Sequence, residues 1–425
     1  MPDTALVISA TVPDPPDTGK RVVLRGLLRY LIDRLGPANV HYALVGADSA
    51  PPIPFPVTVH HLDRPGAGSQ LAALTRCLTD RSYTIQEAML GSRGLARQVA
   101  ALVEELDPRI EVYDTLRMGQ HAPRARRSRR RVLYVDDLFS VRYARMIDVA
   151  ERESVDMDPL GGFVDNVPAR LRSLARRPGV YLPLLRVEGR RLERREATIV
   201  RDFDVSLLVN ADEVGLLRSR SGVEAVESFT PLLPRVASVA RAQADPPEIV
   251  FLGSLGLPHN DDAICSFLRT TMAPVVRRCP GIRLRVIGRN ASTALQALAA
   301  QCADSVVLEG FVEDLDAVLA RSSAVIAPLR FGSGVKIKML EALARGVPLL
   351  ATERAAEGIP VRPDGVDGCL VEDDMAAWPE LVAELVDPAR NAQVSAAAVD
   401  FFDRTYSTDV VTAQYDKIFE LATAR

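Results

Sequence analysis

Gly332, Ser333, Gly334, Val335, Lys336, Lys338 and Glu341 crowd into one short run of a 425-residue chain. A glycine-bracketed turn lets backbone N–H groups approach a ligand closely. At the start of a helix it makes a ready seat for an anion such as phosphate. A lysine ammonium suits phosphate as a compact point charge. Glu341 follows Lys338 by three positions, roughly on one helix face, where its carboxylate can accept hydrogen bonds from sugar hydroxyls. Lysine usage concentrates the signal: of 52 Lys plus Arg only Lys20, Lys336, Lys338 and Lys417 are lysine, and two of these stand here. Spacing alone leaves open an ordinary surface helix with i,i+3 charges.

The surrounding pattern supplies the elements that must hold these residues. The apolar run from Ala324 to Leu329 reads as a buried strand. A helix is predicted from about Val335 to Arg345, with Gly346 where a C′ glycine belongs and Pro348 barring continuation. Val347 to Ala351 makes the next strand, so the stretch is one complete βαβ unit.

The phrase Gly332-Ser-Gly-Val-Lys-x-Lys-x-x-Glu-Ala-x-x-x-Gly-Val-Pro-x-x-Ala-Thr352, followed by Ala356-Glu357-Gly358-Ile359, resembles the donor-binding region of family-4 retaining glycosyltransferases. The resemblance implies that Gly332 to Gly334 hold a donor diphosphate and Glu341 the nucleotide ribose. It further implies that the phrases around Gly288 and Gly310-Phe311 lie near the base, and that the loop opening with Gly253 and Ser254 belongs to the donor side. Two departures leave the donor sugar open. Many family members have a glutamate where this chain has Ser333, and an Arg and a Lys in the loop that here runs from Gly253 to Asn260 without either. Lys338 and Lys336 are the natural substitutes for that grip, and Glu357 for the sugar contact.

The first half opens with a strand, Ala5 to Ala10, a Pro- and Gly-rich loop, and a helix from about Arg21 to Leu35. Such a loop lies at the carboxyl end of its strand, where open α/β sheets bind ligands. The order Pro-Pro-Asp-x-Gly with Arg25 resembles the amino-terminal loop of the same enzymes and makes Gly19 a donor-side candidate. A plain turn is the alternative. Further strands are expected at Val40 to Val45, Val57 to His60, Ile110 to Tyr113, Val132 to Val135, Phe203 to Asn210 and Gly222 to Val226. His60-His61 reads as a solvated strand end. Asp114 and Asp136-Asp137 close two of these strands and would face one cleft if the strands are parallel; acceptor contact and helix capping are both open for the second pair. Asp314-Leu-Asp316 matches D-x-D but precedes an amphipathic helix and reads as its cap. Arg124 to Arg131 holds six arginines in eight residues. It reads as a solvated loop, a site for anionic lipid or an acceptor pyrophosphate, or, lacking interleaved aromatics, least of all a nucleic-acid site.

Strand and helix alternate throughout, which argues for parallel, doubly wound sheets. The expected organisation is a Rossmann-like acceptor-side domain over residues 1–235, a proline-punctuated linker over 236–247, a nucleotide-sugar domain over 248–398, and terminal helices over 399–425 returning to the first. That is the α/β GT-B fold: two Rossmann-like doubly wound domains facing a central cleft. Net charge is −3 and mean hydropathy is near zero, so no general affinity for nucleic acid is indicated. No apolar run approaches the roughly 20 residues of a membrane span, and the amino terminus lacks the basic start of a signal peptide. Five scattered cysteines without metal spacing read as reduced thiols of a cytoplasmic protein, with peripheral contact at the inner membrane face left open.

The function implied is a metal-independent retaining glycosyltransferase, its nucleotide-diphosphate sugar a substrate rather than a cofactor, its acceptor a small molecule, glycan or lipid-linked hydroxyl. Lys338, Glu357, Asp114 and Asp136 are the catalytic candidates. A GT-B epimerase or hydrolase of nucleotide sugars, and a non-catalytic GT-B partner protein, are the alternatives. Base, sugar, acceptor and oligomeric state are not legible.

Overall fold

A computed structural model of the protein describes residues 3–15, 18–46, 53–125, 130–153, 178–233, 241–332 and 334–421. The chain divides into two compact units.

The first unit gathers Met1–Ala144, Pro183–Pro234 and Thr408–Arg425. Its strands are β1 (Ala5–Ser9), β2 (Val40–Val45), β3 (Thr58–Leu62), β4 (Ile110–Asp114), β5 (Arg130–Asp136), β6 (Val205–Leu208) and β7 (Val226–Ser228). They form one sheet in the order β3-β2-β1-β4-β5-β6-β7, parallel throughout. β1 and β4 are buried along their whole length, which explains their unbroken apolar sequences: a parallel sheet covered on both faces has no solvent side to alternate with. The order reverses direction between β1 and β4, and a doubly wound sheet binds ligands outside the strand ends at such a switch point. The helix Thr408–Phe419 belongs to this unit. Its Tyr415 stacks on Phe229 with ring centroids 4.4 Å apart and meets Tyr30 edge-on at 5.0 Å, while Arg34 holds Asp416 through two bonds of 2.7 and 2.8 Å.

The second unit gathers Arg145–Leu182 and Arg235–Ser407. β8 (Glu248–Leu252), β9 (Arg283–Ile287), β10 (Val306–Gly310), β11 (Ala324–Ala327), β12 (Leu349–Ala351) and β13 (Cys369–Val371) form a parallel sheet in the order β10-β9-β8-β11-β12-β13. Its switch point lies between β8 and β11. Trp378 and Phe267 pack edge to face beneath it, both buried. Arg241 donates to the carbonyls of Gly346 and Ser322 at 2.7 and 2.6 Å, and Gln243 to the Ser323 hydroxyl at 3.0 Å. The end of the proline-punctuated stretch is therefore tied to this unit's core. Residues 234–240 lie outside the described part.

Several element boundaries differ from expectation. The helix expected from Val335 begins at Ile337, because Gly332 and Gly334 take φ of +132° and +72° and Lys336 is still extended at the cap. The strand expected from Gly222 begins at Val226, since Gly222 is the left-handed cap, φ +68°, of the helix Ala211–Ser221. The strand expected over Phe203 to Asn210 shortens to β6: Val200–Asp202 is a 3₁₀ turn, and Asn210 caps the next helix through its side chain. β3 runs two residues past His60. The helix expected to reach Cys279 breaks at Thr271 into Pro258–Thr270 and Met272–Arg278; Pro274, lacking an N–H, sits in the first turn of the second piece. The terminal helical stretch likewise splits, into Pro388–Tyr406 and Thr408–Phe419.

Candidate functional site

In the second unit, the expected donor residues collect along the carboxyl edge of the sheet. Gly253 follows β8, Gly288 follows β9 and Phe311 follows β10. Gly253 and Gly288 are close because neither has a side chain: a Cβ on Gly288 would lie 1.8 Å from the Gly253 carbonyl oxygen. The loop after Gly253 is pinned by Asn260, whose side chain donates to the Ser254 carbonyl at 3.0 Å. Phe311 is 62% exposed, with the Arg289 guanidinium 4.4 Å over its ring. This is an aromatic platform with one face held by a cation.

Beyond β11, Thr352 anchors the turn by donating from its hydroxyl to the Leu329 carbonyl at 2.6 Å. Gly332 and Gly334 both need the left-handed region that favours glycine. Lys336 curls back to donate to the Gly334 carbonyl at 2.5 Å, and Lys338 pairs with Glu341 at 2.9 Å. Val335 lies in the extended approach to the helix, and Ser333 falls outside the described residues. His259, from the first turn of the Pro258–Thr270 helix, reaches the same turn. Its ring lies 6.4 Å edge-on from that of Phe331, and it is the nearest group to where a Gly332 Cβ would stand. It was legible only as part of an uncharged loop.

Glu357, just past the short helix Glu353–Ala356, is gripped by Arg145 through bonds of 2.6 and 2.9 Å and by Arg354 at 2.9 Å. Burial pushes its carboxyl upward, but the two guanidinium groups outweigh burial and hold it below the usual carboxylate range. Arg145 also donates to the Gly332 carbonyl at 3.2 Å, so one side chain links Glu357 to the glycine turn. No sequence signal marks Arg145 among the many arginines. Asp314 accepts from the Ala317 amide at 2.9 Å and Asp316 pairs with Arg345, so the D-x-D is a helix cap, as expected.

In the first unit, Asp114 closes β4 at the switch point and is 2% exposed. One oxygen accepts from the Ser9 hydroxyl at 2.6 Å, across from the end of β1. The other faces Lys20 at 2.8 Å. Gly19 is the first residue of the helix Gly19–Leu35 that carries Lys20, and Arg25 ties that helix to Asp14 of the preceding loop at 2.8 Å. Asp136 ends β5, next to β4 as parallel pairing requires, and accepts from Tyr134 at 2.9 Å. Burial raises its pKa, reinforced by Asp137 and opposed by Lys20 and Arg142. Helix capping does not account for it: the Leu138 and Ser140 amides go to Glu213 and Glu196, at 2.7 and 3.1 Å. Thr115 and Asp136 both have positive φ, +64° and +76°, where side chains other than glycine's are strained. Two such residues at adjacent strand ends mark a site under geometric demand.

The arginine run divides. Arg131 is buried in β5 against Glu111 at 3.1 Å, and Arg130 donates to the Ile418 carbonyl at 2.8 Å, so these two are structural rather than part of a solvated loop. Residues 126–129 lie outside the described part. His60 meets His41 of β2 at 3.0 Å. All five cysteines are unpaired.

Residues 246–387 match the family model described as glycosyl transferases group 1. A phosphatidyl-myo-inositol mannosyltransferase of Mycobacterium tuberculosis is 27% identical over 202 residues, 43% of this chain and 50% of that protein, so the match spans about half the length of this relative. Among solved structures, the sucrose-phosphate synthase of Thermosynechococcus elongatus superposes with a TM-score of 0.64 at 12% identity, covering 98% of both chains. Anabaena HepE in complex with UDP-glucose superposes with a TM-score of 0.60 at 11% identity, over 98% of this chain and 99% of that one. At these identities the superpositions speak to fold alone. Residues 246–387 are thus a group 1 glycosyltransferase domain, carried by a chain of two Rossmann-like units with the GT-B fold.

Proposed function

We propose that the protein transfers a sugar from a nucleotide-diphosphate sugar to an acceptor hydroxyl with retention of configuration. The observation that carries the reading is the glycine turn beyond β11, set at the switch point of the second sheet with Lys336, Lys338 and Glu341 around it. In this reading the amides of Gly332 to Val335 and the helix beginning at Ile337 receive the donor diphosphate. Lys338 leaves Glu341 for phosphate oxygen, and Glu341 turns to the ribose hydroxyls. The Arg289–Phe311 platform takes the base, while Gly253, Ser254 and Gly288 let the donor lie close to backbone. Glu357, kept ionised by Arg145 and Arg354, accepts from hydroxyls of the transferred sugar. Catalysis is then mainly electrostatic. Negative charge growing on the leaving diphosphate meets a helix N-terminus and a lysine already in place. The acceptor oxygen attacks on the face the diphosphate leaves, and its proton passes to a departing phosphate oxygen.

The first unit holds the acceptor in this scheme. Asp114, buried and bonded at both oxygens, is better suited to presenting Lys20 than to taking a proton, whereas Asp136 is the carboxyl aimed at acceptor hydroxyls.

Thermal unfolding with UDP, GDP, dTDP and their sugars, on wild type and Glu341→Ala, tests the reading. One nucleotide family should raise the midpoint of wild type alone; a ligand at a hundredfold excess over its Kd stabilises by about 2.7 kcal/mol. Absence of any shift would favour the non-catalytic partner. Consumption of nucleotide sugar without any acceptor would favour an epimerase or hydrolase.

A further inference from the structure

Four large apolar side chains of the first unit are exposed on two neighbouring helices. On the helix Ala67–Thr79, Leu71 and Leu74 are 65% and 46% exposed; on the helix Pro178–Ile199, Leu184 and Val187 are 51% and 48% exposed. The helices adjoin. Ile85 and Gln86, just beyond the first helix, donate their amides to Glu188 of the second, at 2.7 and 3.2 Å, and Ile85 packs on Ala73 and Cys77 of the first. The Cys77 thiol lies within electrostatic reach of Glu188 and Arg191.

On the second helix, Leu184, Val187, Arg191 and Arg194 fall at i, i+3, i+7 and i+10, a single stripe, with Arg190 beside it. Arg190 and Arg194 are exposed, and the acidic residues Glu188 and Glu196 are turned inward to cap other helices. Glu193 is the one acidic side chain that this helix exposes among its described residues. Arg76 on the first helix carries a half-exposed guanidinium 4.2 Å over the Tyr83 ring. Apolar side chains set among guanidinium groups are what a helix pair needs to lie in the headgroup layer of an anionic bilayer: the leucines enter the acyl boundary, and the arginines, with long apolar stems, reach phosphate. A second copy of the chain is a poorer occupant. A two-fold contact through this face would set Arg190 and Arg194 against their own counterparts.

We propose that the face formed by Leu71, Leu74, Leu184, Val187, Arg190 and Arg194 docks the protein on membranes rich in anionic phospholipid. Docking through it is independent of sugar transfer, so it can stand or fall apart from the donor reading.

Co-sedimentation of the full chain with phosphatidylcholine vesicles, and with vesicles of equal parts phosphatidylcholine and phosphatidylglycerol, tests this. Wild type should pellet with the phosphatidylglycerol vesicles alone and be released by salt. Arg190→Ser and Arg194→Ser should each weaken binding by about fivefold. The double substitution Leu71→Glu/Leu74→Glu should weaken it by about tenfold or more, with the thermal midpoint unchanged because both sites are exposed. Equal binding to both vesicle types, no binding to either, or wild-type binding by all three variants would overturn the proposal. So would a concentration-dependent dimer abolished by the leucine substitutions in a protein that pellets with neither vesicle.

Discussion

Lys338 and Glu341 hold each other at 2.9 Å, so each masks the other's charge until something parts them. On the proposed chemistry the two substitutions separate. Glu341→Ala removes the ribose contact, so its main effect should be loss of nucleotide affinity, read as the missing thermal shift. Lys338→Ala removes a charge that matters most as the diphosphate leaves, so kcat/KM in a transfer assay should fall by about a hundredfold or more. A Lys338→Ala enzyme as active as wild type would remove Lys338 from the mechanism. A second residue-scale expectation concerns Glu188 and Glu196, both pushed up by burial to about 7. The folded protein then keeps two protons that the unfolded chain sheds near 4.5, so their contribution falls as pH rises from about 4.5 to 7 and is level above. Glu188→Gln, neutral at every pH, should flatten part of that decline. Urea melts of wild type and variant at pH 5 and pH 7.5 compare it directly; parallel pH profiles would show that Glu188 titrates normally.

At the scale of elements, much was readable because local chemistry and the fold agree. Gly346 takes φ +65° at the end of the Ile337–Ala344 helix, and Pro348 follows, as the pattern required. β1, β4 and β11 are apolar runs buried along their length. What stayed hidden depends on distant partners. Nothing local tells that Glu213 and Glu196 would cap the Phe139–Glu153 helix from 75 and 56 positions away. Nor does it tell that Arg131, inside an arginine run, would be buried on Glu111, or that Arg145 would reach Glu357 across 212 positions. In a chain so rich in arginine the residue type carries little information, whereas scarce lysines pointed straight to the glycine turn. Gly288 tests how tightly the elements are joined. An added Cβ meets the Gly253 backbone oxygen at 1.8 Å, so the ends of β8 and β9 must part. Gly288→Ala should cost on the order of 3 kcal/mol, measured by denaturant unfolding, and should weaken nucleotide binding because the Gly253 loop moves with it. A stability change below about 0.5 kcal/mol would mean that the turn yields freely.

For the whole molecule, the consequential feature is the way the chain is threaded: the first unit is closed by the last segment of the sequence, Thr408–Arg425, after the second unit has been completed. Phe419, Tyr415, Tyr30 and Phe229 form one buried aromatic cluster, and Asp416 takes both the Arg34 guanidinium and the Tyr30 hydroxyl. Without that segment, Phe229 and Tyr30 lose their apolar cover. Phe419→Ala alone should cost about 3–5 kcal/mol by truncating a fully buried ring, a large share of the 5–15 kcal/mol that holds a typical domain folded. A chain ending at Ser407 should therefore show two separate unfolding transitions in calorimetry, the first unit melting early while the second keeps its midpoint. Nucleotide should raise only the later transition, because the glycine turn, Lys338 and Glu341 all lie in the second unit. A single transition shifted downward as a whole, with nucleotide raising it uniformly, would show instead that the two units fold as one cooperative body.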